Sequence, residues 1–266
     1  MQTFLLLFLF LHFCNTQSFF INNNMLSMYR KLKKNVPVSY DPLDNKKLII
    51  STPAGLHGFY LMGISSYIKE HYNLTDYIFS GASAGSWNSL FLAFQGNNTE
   101  FIQRILDPQI YNVSTILQIE KNIKNSILTH YNSSDFDLSR INIGVSTLTF
   151  PFRVKLRIYN EFDTLEDSLN ACIASSHIPF ITGGLVHIYR KRLTFDGGLF
   201  SYPYVKYIRP SLFIMPSLWN SSLTNSNCSL RNFMNSHSTK VNVSELFEAG
   251  YNDSLQNKAY LDEIFL

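Results

Sequence analysis

The sequence predicts a three-layer α/β/α fold with a mostly parallel central sheet. Three observations carry that expectation. Short apolar runs at 47–51 and 77–79 each end in turn-forming residues, and a helical stretch follows each run. The strand–helix alternation then recurs along the chain, as parallel strands joined by helical crossovers require. The 266 residues suit one large domain of this kind, and the 45% hydrophobic content supplies an ordinary core.

Taken in order, Lys47-Leu48-Ile49-Ile50-Ser51 reads as a buried strand running into the tight loop Thr52-Pro53-Ala54-Gly55. Phe59 to Tyr72 has Leu61, Met62, Ile64, Ile68 and Tyr72 at helical spacing. Tyr77-Ile78-Phe79 is a second short strand, and Trp87 to Phe94 reads as a largely buried helix. The polar stretch from Asn97 to Arg140 gives no clear pattern beyond partial helix. Ile141 to Phe150 and Phe152 to Tyr159 favour β structure; in the second, Val154, Leu156 and Ile158 alternate with Lys155 and Arg157, which leaves one face wet. A helix is expected from Thr164 to Ser176, capped by Asp163, with Glu166 and Asp167 in its first turn. Strands are expected at Leu185–Tyr189, Leu193–Phe195 and Ser211–Met215. An amphipathic helix spans Ser244 to Phe265, broken near Gly250 and Asn252.

The N-terminus differs in kind. Phe4 to Phe13 is apolar apart from His12, and Cys14, Thr16 and Ser18 follow. That run falls short of the roughly 20 residues a membrane span needs. It reads as a signal peptide or an uncleaved hydrophobic anchor, implying the secretory pathway or membrane association. The expected organisation is a leader at 1–18, a polar lead-in at 19–45, the main domain at 46–205, and a C-terminal extension at 206–266 packing on that domain. N-x-S/T sequons stand at Asn73, Asn97, Asn112, Asn132, Asn220, Asn227, Asn242 and Asn252. They exceed the roughly four that composition alone gives, and would suit a glycoprotein.

A net charge of +3 gives no basis for nucleic-acid binding. The run Arg30, Lys31, Lys33 and Lys34 reads as a solvated face or a contact for anionic lipid. Three cysteines make no disulfide framework. Cys14 falls in the leader, Cys172 reads as a buried free thiol, and Cys228 is a pairing partner only in an oxidising lumen. No metal, organic cofactor or obligate protein partner is implied.

The chemistry concentrates in two places. Gly81-Ala82-Ser83-Ala84-Gly85 has the form G-x-S-x-G, between a readable strand and a readable helix. That setting thrusts a serine hydroxyl out of the sheet and offers the next backbone N–H to an oxyanion. The serine needs a base. The later histidines are His130, His177, His187 and His237; His177 and His187 suit structural roles, and only His237 lies beyond Asp196, in a polar segment. Asp196 is the better candidate: it ends a strand, and Gly197-Gly198 permit a backbone bend, where α/β enzymes place ligands.

Three blocks together resemble the patatin-like phospholipase family, its animal-type branch in particular. They are Ser51-Thr52-Pro53-Ala54-Gly55-Leu56-His57-Gly58 running on to Gly63, then Gly81 to Ser86, then Ala171 to Phe180 leading to Asp196-Gly197-Gly198. The likeness spans about 46–205. It implies a Ser83–Asp196 dyad without histidine and an oxyanion hole from Ala54, Gly55, Leu56 and Ala84, framed by Gly58, Gly81, Gly85, Gly197 and Gly198. It also implies a glycerolipid or phospholipid substrate met at a membrane or lipid surface. Pro53 departs from the family pattern, because it stands where a glycine is usual and has no N–H to donate. Two other readings stay open: a Ser–Asp–His triad esterase using His237, and a lipid-binding member of the fold without turnover.

Overall fold

Leu48, Ile49 and Ile50 are fully buried in strand β1 (Lys47–Ser51), which explains its unbroken apolar sequence: both faces of this central strand are covered. The computed structural model describes residues 46–149, 153–199, 204–205, 208–219 and 242–266. The leader, the lead-in with its basic run, Cys228, His237 and the sequons at Asn220 and Asn227 lie outside these residues. β1 pairs in parallel with β2 (Tyr77–Ala82), and β2 with β3 (Ile141–Thr149). The remaining strands are β4 (Arg153–Tyr159), β5 (His187–Tyr189), β6 (Arg192–Phe195) and β7 (Pro210–Ile214). β7 lies parallel to the other side of β1. The sheet order is β5-β6-β3-β2-β1-β7, with β4 also on β3. This is the expected α/β class, a sheet flanked by helices, with an antiparallel margin formed by β4, β5 and β6.

β3 has one unusual property. β4 pairs with it from Ile143 to Thr149 and so occupies one whole edge. β2 pairs at Ile141–Gly144 and β6 at Ser146–Leu148, and both overlap the β4 pairing. They must therefore share the opposite edge, end to end. β2 runs along β3 and β6 runs against it, so their C-terminal ends meet beside Gly144–Ser146.

Eight helices complete the described residues: α1 (Gly58–His71), α2 (Ala84–Ala93), α3 (Asn98–Ile105), α4 (Pro108–Tyr111), α5 (Ile116–His130), α6 (Leu165–Ser175), α7 (Val243–Gln256) and α8 (Lys258–Phe265). The stretch from Asn97 to Arg140 thus resolves into three helices and two 3₁₀ turns. Its sequon asparagines explain part of its obscurity, because Asn97 caps α3 and Asn132 caps a 3₁₀ turn, while Asn242 caps α7. Thr164, not Asp163, caps α6: its hydroxyl accepts from the Asp167 N–H at 3.1 Å. No described helix is long and apolar enough to cross a membrane.

The expected break at Gly250 and Asn252 is absent. α7 runs through both, and the chain breaks instead at Asn257, between α7 and α8. The reason is packing. α1 is buried without a gap from Tyr60 to Ile68, and α7 covers it. A Cβ on Gly250 would collide with the Tyr60 carbonyl, and one on Gly63 with the Phe247 carbonyl, so the pair lets the two backbones touch. Tyr60 donates to Asp253 at 2.6 Å and Tyr251 to Glu70 at 2.6 Å, fixing the register. Lys69 on α1 reaches the C-terminus of α2 and donates to the carbonyls of Leu92 and Phe94, which the helix itself leaves unpaired.

Gly250→Ala is therefore expected to destabilise the fold by about 2–3 kcal/mol through overpacking, even though alanine is the better helix former. Urea unfolding measures this; a variant as stable as wild type would mean the α1–α7 contact is looser than described.

Candidate active site

Ser83 occupies the turn between β2 and α2 with φ 53° and ψ −131°. A non-glycine residue there carries strain of about 1–3 kcal/mol, so the surroundings must hold it. Ser86 does so from within α2, its N–H and Oγ both donating to the Ser83 carbonyl, at 2.9 and 2.6 Å. Ser175, the last residue of α6, does so from across the sheet. Its Oγ accepts from the Ser83 N–H at 2.8 Å and donates to the Gly144 carbonyl at 2.7 Å.

The same helix end holds Asp196. The Asp196 N–H donates to the His177 carbonyl at 2.7 Å and the Gly197 N–H to the Ser175 carbonyl at 2.9 Å. A Cβ on Gly197 would strike the Gly144 carbonyl, so only glycine lets the chain pass this close to β3. The abutting ends of β2 and β6 thus bring Ser83 and Asp196 to one place. Gly81 and Gly85 pack against each other, and Gly85 also against the Ser51 carbonyl.

Both side chains are buried, Ser83 at 7% exposure and Asp196 at 4%. Asp196 Oδ1 accepts from the Gly198 N–H at 2.7 Å. Oδ2 makes no hydrogen bond of ordinary geometry. The Ser83 hydroxyl is nonetheless near enough to act on the carboxyl. Burial pushes the Asp196 pKa from 3.8 up to about 6, opposed first by Ser83 and then by the Gly198 N–H.

The loop 53–58 lies over this pair. Gly55 has a positive φ of 53° and opens a 3₁₀ turn, Gly55–His57. The N–H groups of His57 and Gly58 are engaged within that turn. Those of Ala54, Gly55 and Leu56 make no hydrogen bond among the described residues, and nor does that of Ala84. Gly58 packs on Ala84, and Asn88 Nδ2 donates to both the Gly58 and Ala84 carbonyls, at 3.0 and 3.1 Å, tying loop to elbow. Pro53 packs against Gly198.

Among the described histidines after Ser83, no ring is hydrogen-bonded to Ser83 or Asp196. His130 is exposed, with Nδ1 on the Ser126 carbonyl. His177 and His187 lie side by side with their rings tilted at 40°, and burial pulls both below the usual imidazole pKa. Among the described residues no cluster of three His, Cys, Asp or Glu side chains could hold a metal. Cys172 is a buried free thiol, as its helical apolar setting predicted.

One residue escaped sequence reasoning altogether. Glu120, on α5, is 6% exposed, and its Oε2 has no hydrogen-bond partner. Burial raises its pKa well above the usual carboxyl range, the nearby Asp196 charge raises it further, and a hydrogen bond with Ser176 opposes both. Its sequence context, Gln118-Ile119-Glu120-Lys121, looks like an ordinary polar helix face. Ser176 in turn accepts from Trp87 Nε1 at 3.0 Å, so this buried acid is linked to α2 as well. Two cavities, of about 460 and 520 Å³, open elsewhere, and neither is lined by Ser83 or Asp196.

No protein-family model matches the chain, and no curated protein matches it. Among solved structures, it is similar to VipD from Legionella pneumophila at 10% identity and TM-score 0.39, over 79% of this chain and 66% of that one. It is also similar to the ExoU–SpcU heterodimeric complex from the type III secretion system of Pseudomonas aeruginosa, at 14% identity and TM-score 0.39. That match covers 83% of this chain and about half (52%) of the other.

Glu120 gives a test of the site's dryness. A native pKa above the unfolded one means the folded state loses stability as pH rises through the native value. Glu120→Gln removes that loss, so its advantage over wild type in urea unfolding should widen as pH rises above the ordinary carboxyl range. A difference that stays constant with pH would place Glu120 in water.

Proposed function

We propose that this protein is a serine acyl hydrolase of lipid esters, with Ser83 as nucleophile and Asp196 as its base. One observation carries the reading. A strained serine at a strand-to-helix elbow shares an edge of β3 with a buried aspartate that has one carboxylate oxygen unpartnered. Strain of this kind persists where the surroundings impose it, and it clusters at sites of chemistry. The patatin-like likeness of the motifs agrees with this reading and supplies the substrate class.

The reaction balances as follows. Asp196 takes the Ser83 proton while Oγ attacks the ester carbonyl. The oxyanion accepts hydrogen bonds from Ala84 and from the Ala54–Leu56 loop, at the positive end of α2. The tetrahedral adduct collapses, and Asp196 returns the proton to the departing alcohol oxygen. Water then loses a proton to Asp196 as it attacks the acyl-enzyme, and a fatty acid leaves with the serine hydroxyl restored. An ordinary aspartate is too weak a base for this; burial lifts its pKa to about 6, which brings it closer to working pH.

The assignment is tested by labelling with a fluorophosphonate serine probe. Wild type should label, whereas Ser83→Ala should not and should lose turnover by about a thousandfold or more. His237→Ala should label and turn over like wild type. A folded wild-type protein that refuses the probe would instead favour lipid binding without turnover.

Asp196 ties activity to stability. Only its ionised form can accept a proton, so kcat/KM should rise through about pH 6. Fold stability should move the opposite way, declining between about pH 4 and about pH 6, because the native state holds this proton more tightly than the unfolded chain does. Asp196→Asn should therefore abolish turnover and yet stabilise the protein at neutral pH by as much as about 3 kcal/mol. An inactive but less stable Asp196→Asn variant would count against a dry, burdened carboxylate.

A further inference from the structure

The antiparallel margin of the sheet carries an apolar stripe that no described residue covers. Cross-strand register sets Ile188, Leu193, Leu148 and Val154 in one row across β5, β6, β3 and β4, and hence on one face. Ile188 is 67% exposed, and Leu193 and Val154 are also exposed. The loop entering β5 adds Phe180, at 56%, with Leu185 and Val186. Of the nine large hydrophobic side chains exposed among the described residues, six lie here, so this is a patch and not scatter.

Its surroundings are cationic. From Arg153 to Tyr159 and from His177 to Phe195 there is no acidic residue, and Arg153, Lys155, Arg157, Arg190, Lys191 and Arg192 stand in these two segments. Arg190 turns inward to Asp167 at 2.5 Å. Arg153, Lys155, Lys191 and Arg192 are exposed and make no ion pair among the described residues.

The backbone is strained in the same places. Arg190 and Lys191 form the two-residue turn of the β5–β6 hairpin, both with positive φ (43° and 61°), where Asn-Gly would sit without strain. Phe180 also has a positive φ, 64°, an outlier for a bulky side chain. Long basic and aromatic side chains are thus held at the surface against the local preference of the backbone.

We propose that this margin is the docking surface for a lipid bilayer bearing anionic headgroups. The free end of this four-stranded margin enters the bilayer: the apolar stripe on one face meets the acyl boundary, while Lys191 at the hairpin tip and Arg192, Arg153 and Lys155, which alternate onto the opposite face at the same end of the strands, meet the headgroups. Leu193 precedes Asp196 by three residues on one extended strand, about 10 Å away. The strand end that meets the bilayer runs on through β6 into Asp196, so the inference rests on the acyl-hydrolase reading for its purpose, though not for its test.

The test uses the full chain as Ser83→Ala, so that no lipid is consumed. Hydrogen exchange is followed with vesicles of phosphatidylcholine alone and of phosphatidylcholine mixed with phosphatidylserine. Slowed exchange at 178–193 and 153–156 with the mixed vesicles only is the expected result. Protection confined to other segments, or equal with both vesicles, overturns the proposal. In the active chain, Ile188→Ser/Leu193→Ser and, separately, Lys191→Glu/Arg192→Glu should cut hydrolysis of vesicle lipid about tenfold or more. Both should leave turnover of a soluble short-chain ester unchanged. Unchanged vesicle hydrolysis overturns the proposal, as does a concentration-dependent dimer that these substitutions abolish, which would make a second copy the occupant. If no ester is turned over by any form, the function proposed above fails while the exchange result still decides the surface.

Discussion

The molecule depends on one edge of β3 accepting two strands end to end. β2 arrives parallel and stops beside Gly144; β6 arrives antiparallel and stops beside Ser146. Everything at the site follows from that junction. Two chain reversals must fit into the space of a few residues, so glycine is forced where each chain passes a carbonyl, at Gly85 and Gly197. The polar backbone freed by two strand endings needs partners in a buried place. The C-terminal end of α6 and the residues just after it supply them: the carbonyls of Ser175 and His177 accept from Gly197 and Asp196, and the Ser175 hydroxyl takes the Ser83 N–H. Carbonyls orphaned by a helix ending thereby satisfy donors orphaned by strands ending.

Burial then sets the electrostatics. Asp196 and Glu120 both lie in the dry interior, and desolvation is the largest influence on each. Their mutual repulsion disfavours both being charged. The Asp196 charge and burial both push Glu120 towards its neutral form, which lessens the competing negative charge beside the proposed base. A basic aspartate costs stability at the pH where it is useful, and the clamp formed by Ser86, Ser175 and α6 is what keeps so burdened a turn in place.

The sequence disclosed what is local and concealed what is not. Strand runs such as 47–51, the helical spacing of Leu61, Ile64 and Ile68, and the G-x-S-x-G and D-G-G turns all express short-range geometry, so each could be read without a partner in view. Ser175, Asn88 and Glu120 could not be, because their partners lie across the fold: 92 residues separate Ser175 from Ser83. Gly250 misled for the same reason. Intrinsic propensity marks it as a helix breaker, whereas its place is fixed by the Tyr60 carbonyl on another helix. Asp163 and Thr164 were a near tie by capping preference, which tertiary structure resolved by one residue. The 97–140 stretch hid its helices because Asn97, Thr115 and Asn132, residues that read as loop, serve as caps at its turns.

Pro53 stands in the loop that the proposed mechanism uses for the oxyanion, and the fold absorbs it. Its missing N–H matters only if that group would have faced the oxyanion. Here the Pro53 ring fills the space beside Gly198 and so supports the turn that holds Asp196. The chain then reverses at Gly55, whose positive φ sets the start of the 3₁₀ turn. The first N–H groups of any helical turn have no internal acceptor, which leaves Gly55 and Leu56, with Ala54 before them, unengaged. Asn88 anchors the far end of this loop to α2 through Gly58 and Ala84, next to the Ala84 N–H at the head of that helix. In the proposed mechanism the donors therefore come after the proline, and the residue that donates nothing contributes instead by packing against the loop of the base.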